Sequence, residues 1–366
     1  MSRTIVLSDT HLGASAGNDL LRAASFRERL GPALEGAGRV VLLGDIVELR
    51  DRPIADAVAI ASPFFELVGE AAAGAEVVLV PGNHDHHLFS SWQEASRLRG
   101  ARKPLGLEQR AKARSGLLGA LAKRMPGCEL FLSYPGIHLG DEIYAMHGHY
   151  LDAHLTVPTF ERLGVGVVER VIGGLPDERS AEDYERVLEP LYAFLFTLAQ
   201  SGGVSSSASG PSARAWAALA DGATTAQKLR GALLGSVALP GAIAVANRLG
   251  LGKFSSNISL DEIGRATIAA LREVIERLQI EAKTVIFGHT HRRGPPAGDD
   301  PAAAGPALLN PGGWVYSPGL LKSTTTASPY WPGSVIEIAG GEAKMRRLLE
   351  DVTHEGIREA LSAKRV

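Results

Sequence analysis

The run Val77-Val78-Leu79-Val80, closed by Pro81-Gly82 and followed at once by Asn83-His84-Asp85, leaves the chain little choice of fold. A short apolar, β-branched run bounded by a Pro-Gly turn reads as a buried strand. Three polar side chains then fall on the loop at its C-terminal end, where ligands gather in open α/β sheets. Alone, the triplet could be a turn whose Asn and Asp satisfy local amides. Four further runs of the same kind argue otherwise. Thr4–Leu7 leads into Asp9 and His11, Val40–Leu43 into Asp45 and Glu48, Ile143–Met146 into His147 and His149, and Thr284–Phe287 into His289 and His291. Five strands that each end in Asp, Asn or His point to a shared site rather than to packing.

Between the first three runs, Leu20–Glu35 and Pro53–Ala73 carry helical spacing, so residues 1–90 read as βαβαβ, a largely parallel sheet with crossover helices. Residues 91–135 are basic and less regular. Arg97, Arg99, Arg102, Lys103, Arg110, Lys112, Arg114, Lys123 and Arg124 form either a solvated helical face or a positive rim for an anionic substrate. The expected organisation is a core of residues 1–150 and 283–350, a helical insertion or cap at 151–282, and a helical tail at 351–366. Within the insertion, Tyr184–Ala199 is a helix rich in large apolar residues, about 200–212 is a Ser/Gly-rich loop, and Asp261–Leu278 is an amphipathic helix. Gly231–Ala246 is apolar but is broken by Pro240 and is shorter than the ~20 residues a bilayer span needs. It is either core of the cap or an apolar surface for lipid, a membrane or a partner. After the fifth run, Ala307–Asn310, Trp314–Ser317, Ser334–Ala339 and Lys344–Leu349 read as antiparallel-type strands.

Composition narrows the classes. With 366 residues and 45% hydrophobic content the chain can bury a large core. A net charge of -2 supplies no global field for nucleic acid, which stays open as a partner only through a local basic cleft. The single Cys128 excludes an intramolecular disulfide framework and a multi-thiolate zinc site. Met1-Ser2-Arg3 runs straight into the first strand without a signal-peptide pattern. The expectation is a cytoplasmic protein, peripheral to the membrane if the apolar insertion meets lipid.

Asp, Asn and His residues from the five loops, with no Cys among them, make an oxygen and nitrogen donor set that suits Mn²⁺ first, then Fe or Zn²⁺. Seven donors are too many for one tetrahedral ion, so two ions are expected, as in two-metal hydrolases where they sit about 3.5–4 Å apart. Asp45 is the candidate bridge, because each carboxylate oxygen can serve one ion.

The ordered motifs Asp9-x-His11, Gly44-Asp45-x-x-Glu48, Gly82-Asn83-His84-Asp85, His147-Gly148-His149 and Gly288-His289-Thr290-His291 together resemble the calcineurin-like metallophosphoesterase superfamily. The resemblance covers about residues 3–90, 143–150 and 284–317. It implies an α/β fold, a two-sheet β-sandwich flanked by helices, here with a helical cap. It implies one divalent or trivalent ion on Asp9, His11, Asp45 and His291, and a second on Asp45, Asn83, His147 and His289. His84 matches the histidine that contacts the substrate phosphate and protonates the leaving oxygen, and Asp85 matches the carboxylate that orients it. Glu48 stands where many relatives have Asp, at a position that is not a metal ligand in the family.

Other polar residues are read from their neighbourhood. Arg292 and Arg293 follow the last ligand and are either a bidentate phosphate clamp or surface arginines, and Arg50 and Arg52 read the same way. His149 reads as a supporting residue, while His86, His87, Asp152 and His154 lie near the motifs in sequence only. Asn310-Pro311-Gly312-Gly313-Trp314 resembles the turn after the last metal motif in relatives, and would pack the site's far wall.

The expected activity is metal-dependent hydrolysis of a phosphodiester or phosphomonoester, with a small, nucleotide or lipid-linked substrate. Gly44-Asp45-x-x-Glu48 and the insertion are similar to UDP-diacylglucosamine pyrophosphatases, whose insertion is a lid over acyl chains. The length of the insertion and the His-Gly-His motif, where that group has His-Gly-Asp, depart from it. One alternative is a nuclease of the same superfamily, with the basic 97–124 segment lining the cleft. Another is a metal-binding scaffold without turnover, against which the full set of ligand positions weighs.

Overall fold

Short apolar runs alternate with helical spacing, and the chain folds accordingly: β1 (Thr4–Leu7), α1 (Ala24–Leu34), β2 (Arg39–Leu42), α2 (Ile54–Ala71) and β3 (Glu76–Leu79). There follow α3 (His87–Leu98), β4 (Glu108–Lys112), α4 (Gly116–Ala122), β5 (Glu129–His138) and β6 (Ile143–Met146). Next come α5 (Phe160–Ile172), α6 (Ala181–Gln200), α7 (Leu239–Arg248) and α8 (Leu260–Arg277), then β7 (Thr284–Phe287), β8 (Ala307–Leu309), β9 (Ser334–Ala339), β10 (Glu342–Arg347) and α9 (His354–Ser362). This computed structural model describes residues 2–98, 100, 104–176, 180–201, 239–255, 260–295, 305–321 and 325–363. The Ser/Gly-rich stretch beyond Ser201, residues 231–238 of the apolar segment, and Arg99, Arg102 and Lys103 lie outside the described residues.

The ten strands form a mixed sheet in the order β10-β9-β1-β2-β3-β5-β6-β7-β8, with β4 on β5. β1, β2, β3 and the first half of β5 run parallel, in a register that aligns Val6 with Val41 and Val41 with Val78. On one face Ile5, Leu7, Val40, Leu42, Val77 and Leu79 join the large core. On the other, Val6, Val41 and Val78 share a smaller apolar cluster with Ile137, Ala145 and Ile286 from β5, β6 and β7. The period of two along a strand makes this division.

Where the resemblance implies a two-sheet sandwich, the described strands are continuous in one curled open sheet of parallel and antiparallel strands. The cause is β5, ten residues long, whose Glu129–Leu132 pairs with β3 while Gly136–His138 pairs antiparallel with β6. Two other expectations change. β8 runs parallel to β7, and Trp314–Ser317 forms no strand, only a bridge from Val315 to Asp19.

Between β6 and β7, α6 starts on a capping box of Ser180 and Asp183, and buries Tyr184, Leu188 and Leu191 at helical spacing. It also buries Glu185, which ties it to the sheet. Glu185 Oε1 accepts from the hydroxyls of Tyr134 (2.5 Å) and Tyr150 (2.6 Å), and Oε2 lies 2.7 Å from His86 Nε2. No helix among the described residues is long and apolar enough to cross a membrane.

Burial opposes a charge on His86, but Glu185, then Glu189 and Asp85, raise its pKa above the ordinary 6.5. A histidine raised in this way stabilises the fold fully below its unfolded pKa, and the contribution fades as pH rises through the folded value. Glu185→Gln is therefore expected to lose ~3–5 kcal/mol at pH 6, the usual effect of breaking a buried pair from one side. The loss should shrink as pH climbs. Urea midpoints across pH 6 to 10 would show it, and a pH-independent loss would contradict the charged pair.

Candidate metal centre

The loops after β1 and β2 do not diverge where the strands end. Asp9 N–H donates to Gly44 O (3.0 Å), His11 N–H to Asp45 O (2.8 Å) and Leu12 N–H to Ile46 O (3.0 Å), so the ladder continues through both motifs. Within it the backbone is bent against its preference. Asp9, His11, Asp45, His289 and His291 all have φ between 44° and 66°, and the sixth such non-glycine residue described is Gln279. Left-handed backbone costs an L-residue roughly 1–2 kcal/mol. Its confinement almost wholly to candidate ligands marks a functional site. Two glycines allow the close approach of the rings. A Cβ on Gly82 would collide with Asp45 and His147, and one on Gly288 with Ser8 and Asp9.

The seven sequence-identified donors come together at the ends of β1, β2, β3, β6 and β7. Asp9, His11 and His291 bring donor atoms within 4.8 Å of one another, and so do Asp45, His147 and His289. Asp45 Oδ2 is 3.2 Å from His147 Nε2 and 3.6 Å from His11 Nε2, which makes it the side chain between the two groups. His291 Nε2 lies 3.1 Å from His11 Nε2 and 3.4 Å from Asp9 Oδ1. Asn83 Oδ1 lies 3.2 Å from His289 Nδ1. Turned over, the Asn83 amide would donate to Asp45 and His289 and accept from Arg50 Nη1 at 2.7 Å. The unturned amide points oxygen among acceptors, an arrangement that suits a cation.

Three of the four candidate imidazoles are fixed by a hydrogen bond from the outer nitrogen, as metal-binding histidines are. His11 Nδ1–H donates to Glu48 Oε2 (3.0 Å), His147 Nδ1–H to Leu43 O (3.0 Å) and His289 Nε2–H to Asp152 Oδ1 (3.0 Å). The electrostatics agree with this donor set. Burial opposes ionisation of Asp45, yet His147, His84 and His11 hold its carboxyl well below the usual range. Burial likewise opposes charge on His147 and His11, yet Asp45 lifts the first to about 10, and Glu48 with Asp45 lifts the second to about 9. Burial pushes His291 down to about 4. The carboxylates thus draw protons onto two rings, the same demand for positive charge that a divalent cation meets. The residues fit a metal.

His84 is where the sequence reading needs correction. Its Nδ1 is 2.6 Å from Glu48 Oε2, so Glu48 is the carboxylate that orients it. Asp85 faces the other way: Oδ1 accepts from the amides of Gly82 (2.7 Å) and Asp45 (3.2 Å), and Oδ2 from that of Ile46 (2.8 Å). Burial, then Asp45, pushes the Asp85 carboxyl up to about 6. The arginines also exchange roles. Arg293 is buried and donates to the carbonyls of Trp331 (3.3 Å) and Thr326, so it braces the β9 approach instead of clamping phosphate. Arg292 reaches Pro295 O at 3.4 Å. Arg52 donates to Gly13 O and Ala14 O. Arg50 is the arginine at the site, against Asn83 and 3.4 Å from Glu161 Oε1 of α5.

The remaining motif residues sort by contact. Asp152 supports His289, His87 stacks on Phe196, and His154 Nε2 is 2.7 Å from the Tyr184 hydroxyl. The Asn310 turn does wall the site: Trp314 N–H donates to Asp9 O (2.9 Å), and the Asn310 amide donates to Gly288 O (2.9 Å) between the last two motifs. Glu48 was within reach of sequence, three residues after Asp45. Asp152 was not, since only the 3-10 turn His149–Ala153 brings it round to His289.

Residues 2–182 match the family model described as calcineurin-like phosphoesterase. Among solved structures, a cold-active protein-tyrosine phosphatase of a psychrophilic Shewanella species is similar at 14% identity, over 95% of this chain and 78% of that one, with a TM-score of 0.32. A mutant cold-active protein tyrosine phosphatase is similar at 13% identity and the same coverage, with a TM-score of 0.33. Likeness at these scores decides neither fold nor substrate. No curated protein sequence matches the chain.

Glu48 and Asp85 should separate cleanly on substitution. Glu48→Ala is expected to weaken metal binding by about 10–100-fold, read by competition with a chelating dye. Asp85→Ala instead strands three buried amides and should lower stability in EDTA by about 1–3 kcal/mol, read from urea unfolding. If Asp85→Ala left stability in EDTA untouched, its bracing role would be wrong.

Proposed function

We propose that this chain, which belongs to the calcineurin-like phosphoesterase family through residues 2–182, is a two-metal hydrolase of a phosphodiester or phosphomonoester. The observation that carries the reading is the meeting of two donor groups, Asp9/His11/His291 and Asp45/His147/His289, on the carboxylate of Asp45. Asp9, His11, Asp45 and His291 would hold one ion, and Asp45, Asn83, His147 and His289 the other. The hard and borderline donors favour Mn²⁺, then Fe or Zn²⁺. Bound there, such ions would supply positive charge for the phosphoryl oxygens and a more acidic water for in-line attack.

The protein's own groups carry the rest. His84 gives Nδ1–H to Glu48 and is held at its own amide by Asp45 Oδ1 (2.8 Å), which leaves Nε2 to exchange a proton with the leaving oxygen. With a quarter of its side chain exposed it can meet a substrate. The Arg50 guanidinium, beside Asn83, is in position to grip a phosphoryl oxygen. Glu161 balances its charge from α5.

Part of the described basic segment is taken up by ion pairs, which weighs against the nuclease alternative. Arg110, Lys112 and Arg124 are engaged by Glu76, Glu129 and Glu66. A small, nucleotide or lipid-linked ester remains the favoured substrate.

The test is hydrolysis of bis(p-nitrophenyl) phosphate beside p-nitrophenyl phosphate with added Mn²⁺. Turnover should require metal and vanish in EDTA, and Asn83→Ala should lose metal and activity together. His84→Ala should keep its metal and lose about 10²–10⁴-fold in kcat. Two bound ions without hydrolysis of either ester would favour the scaffold.

A further inference from the structure

Three polar atoms behind the candidate metal centre are buried with no partner among the described residues: Asp152 Oδ2, His149 Nδ1 and the Tyr192 hydroxyl. Each residue is only 2% exposed. Such atoms are rare, because they have given up water and gained nothing in exchange. They lie in one neighbourhood. His149 and Asp152 share a single 3-10 turn, and the Tyr192 ring is 5.7 Å from the His149 ring. Burial, then Asp152, pushes the Tyr192 hydroxyl pKa well up. Arg50 joins this neighbourhood to the metal centre, with its guanidinium 6.0 Å from the Tyr192 ring centre and against Asn83.

Hydrogen-bond bookkeeping fixes what each atom offers. The Tyr134 hydroxyl donates to Glu185 (2.5 Å), so its oxygen accepts Nε2–H of His149 at 3.0 Å. His149 Nδ1 is then a bare acceptor. Asp152 Oδ1 takes the proton of His289 Nε2, so Oδ2 is a second acceptor. Tyr192 can donate and accept. A second phosphate or a carboxylate would face two acceptors and the charge of Asp152. An ammonium could serve both acceptors but would leave the Tyr192 hydrogen unused. Two neighbouring hydroxyls match all three in donor and acceptor type: one would donate to Asp152, the other to His149, and either would accept from Tyr192.

We propose that Asp152, His149 and Tyr192 form a specificity subsite for a vicinal diol on the organic half of the phosphate ester, a sugar or polyol. The proposal rests on the phosphoesterase reading above. Tyr192 lies on α6, so the segment between β6 and β7 takes part in choosing the substrate.

The experiment compares kcat/KM of the Mn²⁺-loaded protein for glyceryl, 3-hydroxypropyl and ethyl p-nitrophenyl phosphates and p-nitrophenyl phosphocholine. The glyceryl ester should lead by at least about 10-fold, since a site built for a hydroxyl rejects the analogue that lacks it. In Tyr192→Phe, which keeps the ring, that lead should collapse towards one. Without turnover, glycerol 1-phosphate should raise Tm more than ethyl phosphate does, and the difference should disappear in the variant. Equal rates on the glyceryl and ethyl esters, a lead for phosphocholine, or a glyceryl lead that survives Tyr192→Phe would each overturn the subsite while leaving the phosphoesterase intact. If none of these diesters is hydrolysed, an equal rise in Tm for glycerol 1-phosphate and ethyl phosphate would overturn the subsite, and a failure to hydrolyse p-nitrophenyl phosphate as well would overturn the reading of the centre.

Discussion

The metal centre depends on where Asp45 stands, and Asp45 stands where a reciprocal clamp with the next loop holds it. The buried Asp85 carboxylate accepts the amides of Asp45, Ile46 and Gly82, and Asp45 Oδ1 accepts the amide of His84. Each loop's carboxylate thus satisfies the other loop's backbone. A carboxylate removed from water needs donors of this kind, and here the need is met by the chain segment that must be positioned. The clamp also explains how Asp45 tolerates a φ of 52°. With its amide and its carboxylate both engaged, the residue has no slack through which to relax.

Stability alone would not produce such a site. Four buried carboxylates, Asp9, Asp45, Glu48 and Asp85, lie among imidazoles. Isolated buried charge is costly, and replacing it with apolar groups is often neutral or better for folding. The left-handed backbone at five ligand positions works in the same direction. Local rules broken together at one place, by residues of one chemical kind, mark selection for function rather than for stability. The paired, regular sheet around it supplies the rigidity that holds the strain, with β1, β2 and β3 in strict register up to the motifs.

Much of this was legible in the sequence because each part of the signal was local. The apolar runs gave β1, β2, β3, β6 and β7 nearly to the residue, and the polar residues after them gave the candidate donors that the structure gathers. What could not be read is non-local. β4 carries Glu108, Arg110 and Lys112 on an edge, a pattern that resembles a solvated helix until β5 is beside it. β5 holds Pro135 and Gly136, which argue against a strand, and its passage from one half of the sheet to the other is what makes the curled sheet continuous. Asp85 reads as the carboxylate that orients His84 because it is His84's neighbour in sequence. Adjacent side chains leave a loop in different directions, and the partner of His84 came from another strand.

Glu48 then deserves its extra methylene. One oxygen reaches both His11 and His84, while the other accepts the amide of Arg50. A candidate metal ligand, the candidate proton donor and the candidate phosphate grip are therefore fixed by one buried carboxylate. Arg50 extends the chain of contacts to Glu161 at the start of α5, whose Thr159 cap sets that helix end. A shift of α5 would move Glu161, change the balance of charge on Arg50, and be felt at His84 through the backbone that Glu48 holds. The segment between β6 and β7 is in this way coupled to the chemistry by contact, through residues that sequence spacing assigned to separate motifs.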